Sequence, residues 1–320
     1  RKVGITPDAA ACDQCIRDVS DPRNPRFQYA LTTCADCGPR YSIAADLPFD
    51  RENTTMREFK LCPFCYGEYV DELSRRFHAQ TIACPNCGPT PTLFSGDGSK
   101  MLLQGEEAVC EARKYLLDGR ILAIKGLGGF HFVADARNAE TVLRLRSIKK
   151  RPFKPFAVMA RDLEIVSSIG PVGANTAAIL NSVERPIVLL ERWPNDHIGD
   201  SVSPNLAHVG VMLPLTPLHY LLLCEDALDI VVATSANFAG DTIIFDEKDV
   251  FAMQSKADGL PIADFVLTHD RPIEIGIDDS VVRITETESP SVDAPDLLAS
   301  AEQSVVFLRH SRGYAPRVFD

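Results

Sequence analysis

Eight cysteines near the start of this chain limit what it can fold into, because they fall into four CxxC pairs. The pairs are Cys12 with Cys15, Cys34 with Cys37, Cys62 with Cys65, and Cys84 with Cys87. Two thiolates separated by two residues can bind one metal ion from a tight turn, and tetrahedral Zn²⁺ takes two such turns to complete its shell. The N-terminal region is therefore predicted to depend on bound metal for its fold.

The cysteine pattern is a tandem repeat whose two units are offset by 50 residues. The same offset relates Arg26 to Arg76 and Gly38 to Gly88, and each unit reads C-x2-C-x18-C-x2-C. This is the spacing of four-cysteine zinc sites. Four protein ligands leave no position for a substrate water, so both sites are predicted to be structural. The repeat favours one ion for each unit, although interleaved pairing of the CxxC motifs also satisfies the spacing.

Composition excludes several classes of protein. The formal net charge of −11 makes the chain a poor general binder of nucleic acid. No apolar run approaches the roughly 18 residues that a membrane helix requires, so a soluble, cytoplasmic protein is predicted. In that compartment, paired CxxC units favour metal over a disulfide framework. The chain begins at Arg1 rather than at a methionine, which predicts that upstream sequence is missing.

A turn-rich stretch at residues 88–100 predicts a domain boundary. It separates two zinc-finger-like repeats, residues 1–95, from one domain over residues 101–320, in which β-branched runs alternate with helical patterns as in an α/β fold with a mixed sheet. Strands are predicted at residues 121–124, 156–159, 187–190, 209–212, 230–233, 281–284 and 305–308, and helices near 105–118, 139–148, 172–182, 216–224 and 246–257. The acidic stretch 285–304 is predicted to be a mobile loop.

Six cations lie close together in the second domain, although the chain as a whole is acidic. They are Arg144, Arg146, Lys149, Lys150, Arg151 and Lys154. By charge count alone, a solvated helix face and an anion site are about equally supported. Pro152 and Pro155 favour the anion site, because they end the helix and fix an extended segment. That segment can hold Lys149, Arg151 and Lys154 towards a polyphosphate.

Other candidate ligand groups follow predicted strands. The chain has no GxxxxGK(S/T) sequence, and its glycines at 126–129 lack the dinucleotide-binding spacing. Thr234, Ser235 and Asn237 follow a buried run, where open α/β sheets place their ligands, and an ordinary polar turn is the alternative. The remaining candidates are Lys125, Gly128, Gly129 and His131 after the first predicted strand, Asp278 and Asp279 as oxygen ligands of a metal, and Arg309 and Arg312 near the C-terminus.

In this order, the motifs resemble the central part of the NiFe-hydrogenase maturation carbamoyltransferases, the HypF family. The resemblance covers essentially the whole chain and rests on the doubled cysteine unit and on seven further segments. These are residues 75–80 (RRFHAQ), 125–131 (KGLGGFH), 135–138 (DARN), 149–155 (KKRPFKP), 210–214 (GVMLP), 278–283 (DDSVVR) and 311–314 (SRGY). The second domain alone also resembles the YrdC-like fold, a twisted α/β sheet whose concave, positively charged face binds ATP.

The resemblance implies a reaction and a role for each candidate site. Carbamate derived from carbamoyl phosphate reacts with ATP to give carbamoyl-adenylate and pyrophosphate, and the carbamoyl group passes to the C-terminal cysteine of a maturation partner protein. By the resemblance, the catalytic residues are Lys149, Arg151, Ser235 and Asn237. The implied nucleotide contacts are Lys125, Gly128, Gly129, His131, Lys154, Thr234, Asp279, Arg309 and Arg312, and the implied cofactors are ATP, Mg²⁺ and two structural Zn²⁺ ions.

The resemblance also implies that this sequence is a fragment, and two other functions fit parts of the pattern. Family members carry an acylphosphatase-like domain before the fingers and a transferase domain after the YrdC-like domain, so cleavage of carbamoyl phosphate and the final transfer are not expected here. A threonylcarbamoyl-adenylate synthase of tRNA modification would share the implied fold but does not need the zinc repeats. A zinc-dependent docking module with an inactive YrdC-like domain would lack ATP binding.

Overall fold

The computed structural model describes residues 4–194, 197–225, 227–238, 240–253, 259–287 and 302–317. Within these ranges, the two cysteine units form a pair of fingers beside one large mixed sheet with helices. The predicted α/β fold, preceded by a four-cysteine module, is confirmed. No helix in these ranges is long and apolar enough to cross a bilayer.

Helices and strands alternate through most of the second domain. The α-helices of the described ranges are α1 (Asp13–Ser20), α2 (Pro63–Val70), α3 (Gly105–Leu117), α4 (Ala139–Ile148), α5 (Leu163–Ile169), α6 (Ala174–Leu180), α7 (Gly199–Val202), α8 (Pro217–Leu222) and α9 (Glu247–Ala252). The strands are β1 (Pro91–Ser95), β2 (Met101–Gln104), β3 (Leu122–Lys125), β4 (Phe130–Asp135), β5 (Ala157–Ala160), β6 (Ile187–Glu191), β7 (His208–Met212), β8 (Ile230–Ser235), β9 (Phe265–His269), β10 (Val281–Thr287) and β11 (Glu302–Arg309).

These eleven strands form one sheet in the order β11-β10-β6-β7-β5-β8-β4-β3-β9-β1-β2. Neighbouring strands are antiparallel except for β10 with β6, β5 with β7, and β3 with β9. Strand β4 shows that both faces of the sheet are covered. Its residues Phe130 and Phe132 pack in a core with α4, whereas Val133 packs in a second core with α3 and α8. Alternate side chains of one strand thus enter different cores, as the period of two requires.

Side-chain caps fix where several helices begin. Asn138 accepts a hydrogen bond from the Thr141 backbone N–H at the start of α4, and Asp246 accepts one from Lys248 at the start of α9. Such a cap satisfies one of the backbone donors that a helix N-terminus leaves without a partner. Helix α4 ends at Ile148 with Lys149 as its C-cap, and Lys149 reaches the end of strand β8.

The two fingers are joined to each other and to the sheet by small apolar contacts. Helices α1 and α2 begin directly after Cys12 and Cys62. Three short 3₁₀-helices, Tyr41–Ile43, Arg51–Asn53 and Thr55–Glu58, connect the fingers. Val19 and Ala30 of the first finger belong to the core that includes α8. The first finger therefore packs directly on the α/β domain.

Most of the predicted elements are confirmed to within a few residues, and the differences lie at four strands, four helices and one loop. Strands β1, β2, β4 and β9 and helices α1, α2, α5 and α7 were not predicted. Strand β1, counted in the sequence with the fingers, pairs with β9 in the sheet. The predicted loop 285–304 is wrong at both ends, because β10 runs to Thr287 and β11 begins at Glu302. Residues 254–258 and 288–301 lie outside the described ranges.

The loop between β3 and β4 depends on glycine at position 128. A Cβ there would lie 2.2 Å from the Ile277 carbonyl oxygen and 2.4 Å from the Ile277 Cγ2. The Gly128 carbonyl also accepts a hydrogen bond from the Ile277 N–H at 2.8 Å, so the two backbones cannot separate freely. We expect Gly128→Ala to lower the free energy of unfolding by about 2–4 kcal/mol, measured by denaturant titration.

Gly173→Ala is the matched control, because nothing lies within 4 Å of the position that its Cβ would take. Its expected effect is about 1 kcal/mol or less. Equal effects of the two substitutions would contradict the close approach at Gly128.

Candidate functional site

The eight predicted metal ligands form two four-sulfur clusters, and each repeat unit supplies one of them. The first consists of Cys12, Cys15, Cys34 and Cys37, and the second of Cys62, Cys65, Cys84 and Cys87. Adjacent sulfurs lie 3.5–3.7 Å apart in the first cluster and 3.7 Å apart in the second. Zn–S bonds of about 2.3 Å in a tetrahedron give about 3.8 Å, whereas a disulfide needs about 2.05 Å. Both clusters fit structural zinc.

Each finger sends a buried arginine into the other. Arg26 of the first finger donates to the Ala83 carbonyl at 2.7 Å. Arg76, its counterpart 50 residues later, donates to the Thr33 carbonyl at 3.0 Å. The two acceptor residues, Thr33 and Ala83, are also 50 positions apart, so the repeat relates the two contacts. The exchange makes the pair of fingers one structural unit.

Arginines also reach the thiolates across the interface between the fingers. Arg26 donates to Cys65 Sγ at 3.4 Å, and Arg75 donates to Cys15 Sγ at 3.3 Å. Asp18 and Glu68 complete the arrangement, because Asp18 pairs with Arg75 and Glu68 pairs with Arg26. Four thiolates around one Zn²⁺ carry a net negative charge, so these donors stabilise the cluster of the opposite finger.

A large cleft lies on the sheet at the ends of α4 and β8 and is also bordered by β6, β7 and β10. Its volume is about 620 Å³, within the range of small-molecule sites. Nine of the predicted catalytic and nucleotide-contact residues line it. They are His131, Lys149, Arg151, Lys154, Thr234, Ser235, Asn237, Asp279 and Arg309. Residues separated by more than 150 positions in the sequence thus meet at one site.

Lys149 is the most deeply buried cation of the cleft, with 5% of its surface exposed. Its Nζ donates to the Ser235 carbonyl at 2.6 Å and lies 3.4 Å from Thr234 Oγ1. Burial lowers the pKa of Lys149 to about 7, and the nearby charges of Arg151 and Lys154 act in the same direction. The charge of Lys149 is therefore only partly present at neutral pH unless an anion enters the cleft.

Arg151 and Lys154 add further positive charge at the same wall. Arg151 donates to Thr234 Oγ1 at 3.0 Å and to the Pro155 carbonyl at 3.1 Å, and its buried Nε has no acceptor. Burial lowers the pKa of Arg151 to about 10, and the charge of Arg151 lowers the pKa of Lys154. Cations that destabilise one another in this way bind a polyanion strongly, because the ligand relieves the repulsion.

Two members of the predicted basic cluster do not face the cleft. Arg144 pairs with Asp264. Arg146 donates to the carbonyls of Ser201, Val202 and Arg151 and holds the segment after α4 in place. Helical geometry explains the division, since neighbours along a helix point to different sides.

Ser235 and Asn237 are held by each other before any ligand arrives. Ser235 Oγ donates to Asn237 Oδ1 at 2.9 Å, and Asn237 Nδ2 donates to the Asp241 carbonyl at 2.8 Å. Across the sheet, Ser235 of β8 is in register with His131 of β4. The three residues therefore form a polar floor of the cleft beside the cations, since Lys149 itself donates to the Ser235 carbonyl.

A buried chain of three residues supports this floor from below. His131 Nε2 lies 2.8 Å from Asp279 Oδ2, and Arg312 Nε donates to Asp279 Oδ1 at 2.6 Å. Burial alone would raise the pKa of Asp279, but Arg312 and His131 outweigh it and hold the pKa well below its usual range. Asp279 is thus a permanent carboxylate that fixes the orientation of the His131 ring.

Four of the predicted nucleotide contacts lie outside the lining of the cleft. Arg312 is 1% exposed and also donates to the carbonyls of Glu184 and Arg185. Lys125 pairs with Glu247 and donates to the His269 carbonyl. Gly128 and Gly129 pack closely against Ile277 and Ile243. These residues position the structure around the cleft, because packing and hydrogen bonds already occupy them.

One wall of the cleft is apolar and was not predicted from the sequence. It is formed by Ile187, Leu189, Gly210 and Val281. Ile187 and Leu189 are half-buried while Val188 and Leu190 of the same strand are buried. The i, i+2 spacing could have shown that these residues share a face, but not that this face is open. The wall gives the cleft an apolar part of its lining in addition to the cations.

Comparisons with known proteins assign both regions to families. The profile described as "HypF finger" matches residues 11–44 and 61–94, and the Sua5/YciO/YrdC profile, described as "Telomere recombination", matches residues 114–292. A curated relative from Rhodobacter capsulatus, "Carbamoyltransferase HypF", is 44% identical over 281 residues, which are 88% of this chain and 36% of the relative.

Two solved structures are also similar. The crystal structure of T. kodakarensis HypF has a TM-score of 0.88 at 38% identity and covers 99% of this chain and 39% of its own. Full-length HypF in the phosphate- and nucleotide-bound form has a TM-score of 0.84 at 36% identity and covers 98% of this chain and 38% of its own. The chain thus spans little more than a third of the length of these relatives.

The crossed arginines predict that zinc binding in one finger depends on the other. We expect Arg26→Met to weaken zinc binding by the 62–87 cluster about 10–100-fold, because it removes the donor to Cys65 Sγ and leaves the Ala83 carbonyl without its partner. Competition with a chromogenic chelator measures the loss, and Cys62→Ser identifies the signal of that cluster.

Arg23→Met is the control, since Arg23 is largely exposed and, among the described residues, its ion pair is with Asp21 in the same finger. Zinc affinities of Arg26→Met and Arg23→Met that agree within twofold would contradict the coupling.

Proposed function

The chain belongs to the HypF family of carbamoyltransferases, and from this membership we propose that its cleft binds ATP and adenylates carbamate. The products are carbamoyl-adenylate and pyrophosphate. The observation that carries the proposal is the set of cations around the cleft, whose burial and mutual repulsion lower their pKa values. A related HypF protein crystallised with phosphate and nucleotide bound, which supports the choice of ligand.

The reaction is a nucleophilic substitution at phosphorus. A carbamate oxygen attacks the α-phosphorus of ATP, a new P–O bond forms, and the bond to the bridging oxygen of the β-phosphate breaks. The electron pair of the broken bond leaves with pyrophosphate. Carbamate is already an anion, so the step requires neither a covalent protein nucleophile nor a proton transfer.

The residues of the cleft divide this work by their chemistry. We assign Lys149, Arg151 and Lys154 to the phosphates, where fixed positive charge stabilises the transition state and the leaving pyrophosphate. The base and ribose lie along the apolar wall of Ile187, Leu189, Gly210 and Val281. Ser235 and Asn237, beside His131, orient the carbamate, and orientation alone lowers the barrier substantially.

Mg²⁺ fits the oxygen donors at the cleft, although the described residues offer it no complete protein cage. Asn237, Asp241 and Asp278 line the cleft, and Mg²⁺ bound to a nucleotide typically takes one or two protein oxygens and completes its shell with phosphate and water. When bound, the ion supplies additional charge neutralisation at the phosphates. Asn237 is the most favourable donor position, because its amide is already held in place.

The wider pathway follows from the family as a further part of the proposal. Carbamoyl phosphate is the source of the carbamate, and the carbamoyl group passes to the C-terminal cysteine of a hydrogenase maturation partner. We assign both steps to the full length of the relatives, which are more than twice as long as this chain. The fingers distinguish this proposal from threonylcarbamoyl-adenylate synthesis, since the finger profile is that of HypF.

The first test is ATP–pyrophosphate exchange in ammonium bicarbonate, which generates carbamate. We expect exchange by the unmodified chain and a loss of at least about 100-fold in Lys149→Ala and Arg151→Ala, because each removes charge from the leaving pyrophosphate. Circular dichroism and zinc content check that the variants fold. Arg144→Ala is the matched control, since its side chain pairs with Asp264 away from the cleft.

Normal exchange by Lys149→Ala or Arg151→Ala would refute their assignment. Exchange that required threonine with bicarbonate would transfer the chain to the competing reaction.

The second test uses the pKa of Lys149. The pKa of Lys149 is about 7 in the cleft without a ligand. The negative charge of a bound polyphosphate raises this pKa, so the protein takes up a proton on binding above neutral pH. Affinity for ATP should therefore fall by up to about tenfold per pH unit between pH 7.5 and 9, and close to one proton should be taken up at pH 8.

Calorimetry in two buffers of different ionisation enthalpy measures this uptake. Lys149→Met should abolish it, and proton uptake that is unchanged in Lys149→Met would assign the titration to another group.

A further inference from the structure

The segment after α4 carries two phenylalanines with very different surroundings. Phe156 is 1% exposed and belongs to a hydrophobic core. The guanidinium carbons of Arg146 and Arg151 lie 4.5 Å and 5.3 Å from the centre of its ring. Phe153, three residues earlier, is 73% exposed and lines the cleft. Its ring has no aromatic or cationic partner among the described residues.

Hydrogen bonds hold the backbone on both sides of Phe153. Arg146 donates to the carbonyl of Arg151 and to that of Lys154, the latter at 2.9 Å. Arg151 donates to the Pro155 carbonyl at 3.1 Å. The residue directly before Phe153 is a proline, whose ring restricts φ. The phenyl ring is therefore presented to the cleft from a constrained segment, and its remaining freedom is mainly that of its side-chain torsions.

The position of Phe153 distinguishes it from other exposed apolar residues. Isolated exposed apolar side chains are common on proteins and require no ligand to explain them. Phe153, however, lies between Arg151 and Lys154 in the sequence, and all three residues line the cleft. These two cations are the ones that we assign to the phosphates. An aromatic ring thus accompanies the phosphate-binding residues in the same short segment.

The phosphates alone cannot identify a nucleotide. The cations of the cleft attract any polyanion, because their attraction depends on charge and not on the group attached to the phosphates. A site of about 620 Å³ encloses most of the surface of a small ligand. A base bound on the apolar wall therefore contacts other parts of the lining as well.

We propose that Phe153 stacks on the base of the bound nucleotide and makes the cleft selective for nucleotides over inorganic polyphosphates. The inference rests on the binding of ATP proposed above and adds a residue that recognises the base. A base stacked on an aromatic side chain typically strengthens binding by about 10–100-fold. The exposed ring loses contact with water when it stacks, which adds to the favourable free energy.

The test compares ATP with inorganic tripolyphosphate, which has the same chain of phosphates and no base. Calorimetry measures both affinities for the unmodified chain and for Phe153→Ala. We expect Phe153→Ala to weaken binding of ATP by about 10–100-fold and binding of tripolyphosphate by less than about twofold. Phe153→Trp should restore the affinity for ATP to within about threefold of the unmodified chain, because an indole also offers a flat aromatic face.

A spectroscopic measurement reports the stack directly. The chain has one tryptophan, Trp193, so Phe153→Trp in a Trp193→Phe background carries its only indole at the cleft. Stacking on a purine quenches indole fluorescence. We expect ATP to quench this emission in proportion to binding, whereas tripolyphosphate should leave it nearly unchanged. Quenching of equal size by both ligands would contradict contact with the base.

Leu143→Ala is the matched control. Leu143 is a largely exposed apolar residue of α4 and is not part of the lining of the cleft. Its removal should leave both affinities unchanged. Circular dichroism and zinc content check that every variant folds.

The possible outcomes separate this inference from the proposed function. If Phe153→Ala weakens ATP and tripolyphosphate equally, Phe153 supports the cations and not the base, and the inference is wrong. Unchanged affinity for ATP in Phe153→Ala would also overturn it, while ATP binding by the cleft would stand. Absence of ATP binding by the unmodified chain would refute the proposed function and this inference together.

Discussion

Closure of the two sulfur clusters is the interaction on which the N-terminal region depends. The centre of the first finger consists of its own ligands, since Cys15, Cys34 and Cys37 form the only buried apolar cluster around that site in the described ranges. The metal-bound cysteines take the place of a hydrophobic core in this finger. Without metal, few other contacts stabilise its turns. Because Arg26 and Arg76 cross between the fingers, the two clusters support one another. Val19 and Ala30 extend this order to α8 and so to the sheet.

The cleft depends on the opposite kind of interaction, in which like charges are kept together. Lys149 lies at the end of α4, and its hydrogen bond to the Ser235 carbonyl fixes it to the end of β8. Arg151 reaches the same strand through Thr234. The unliganded state is thus less favourable than it would be with the cations apart, and the stability of the large sheet offsets this cost. A polyanion that enters the cleft recovers the difference as binding free energy.

The sequence predicts what depends on local spacing and fails where distant residues meet. The CxxC offsets, the helix at 139–148 and the basic segment beyond it are local patterns, and the structure has all three. Lys149 and Ser235 could be named as candidates because each follows a recognisable element. Their contact across 86 positions depends on the strand order of the sheet, which no local pattern specifies.

The same limit applies to Arg312 and Lys125. Each was a candidate because of its charge and its neighbours in the sequence, whereas its partner in the structure, Asp279 or Glu247, is remote in sequence. Strand β9 was not predicted, because its pairing with β1 and β3 joins segments that are remote in sequence.

The pairing of β1 with β9 has a consequence for the order in which the molecule forms during synthesis. Pro91 pairs with His269, so the strand that leaves the fingers cannot enter the sheet until nearly the whole of the α/β domain has left the ribosome. The fingers, whose metal ligands all lie within residues 12–87, are complete much earlier. Nascent chains therefore carry a complete pair of fingers, followed by a β1–β2 hairpin whose other edge still lacks β9, before the rest of the sheet is available.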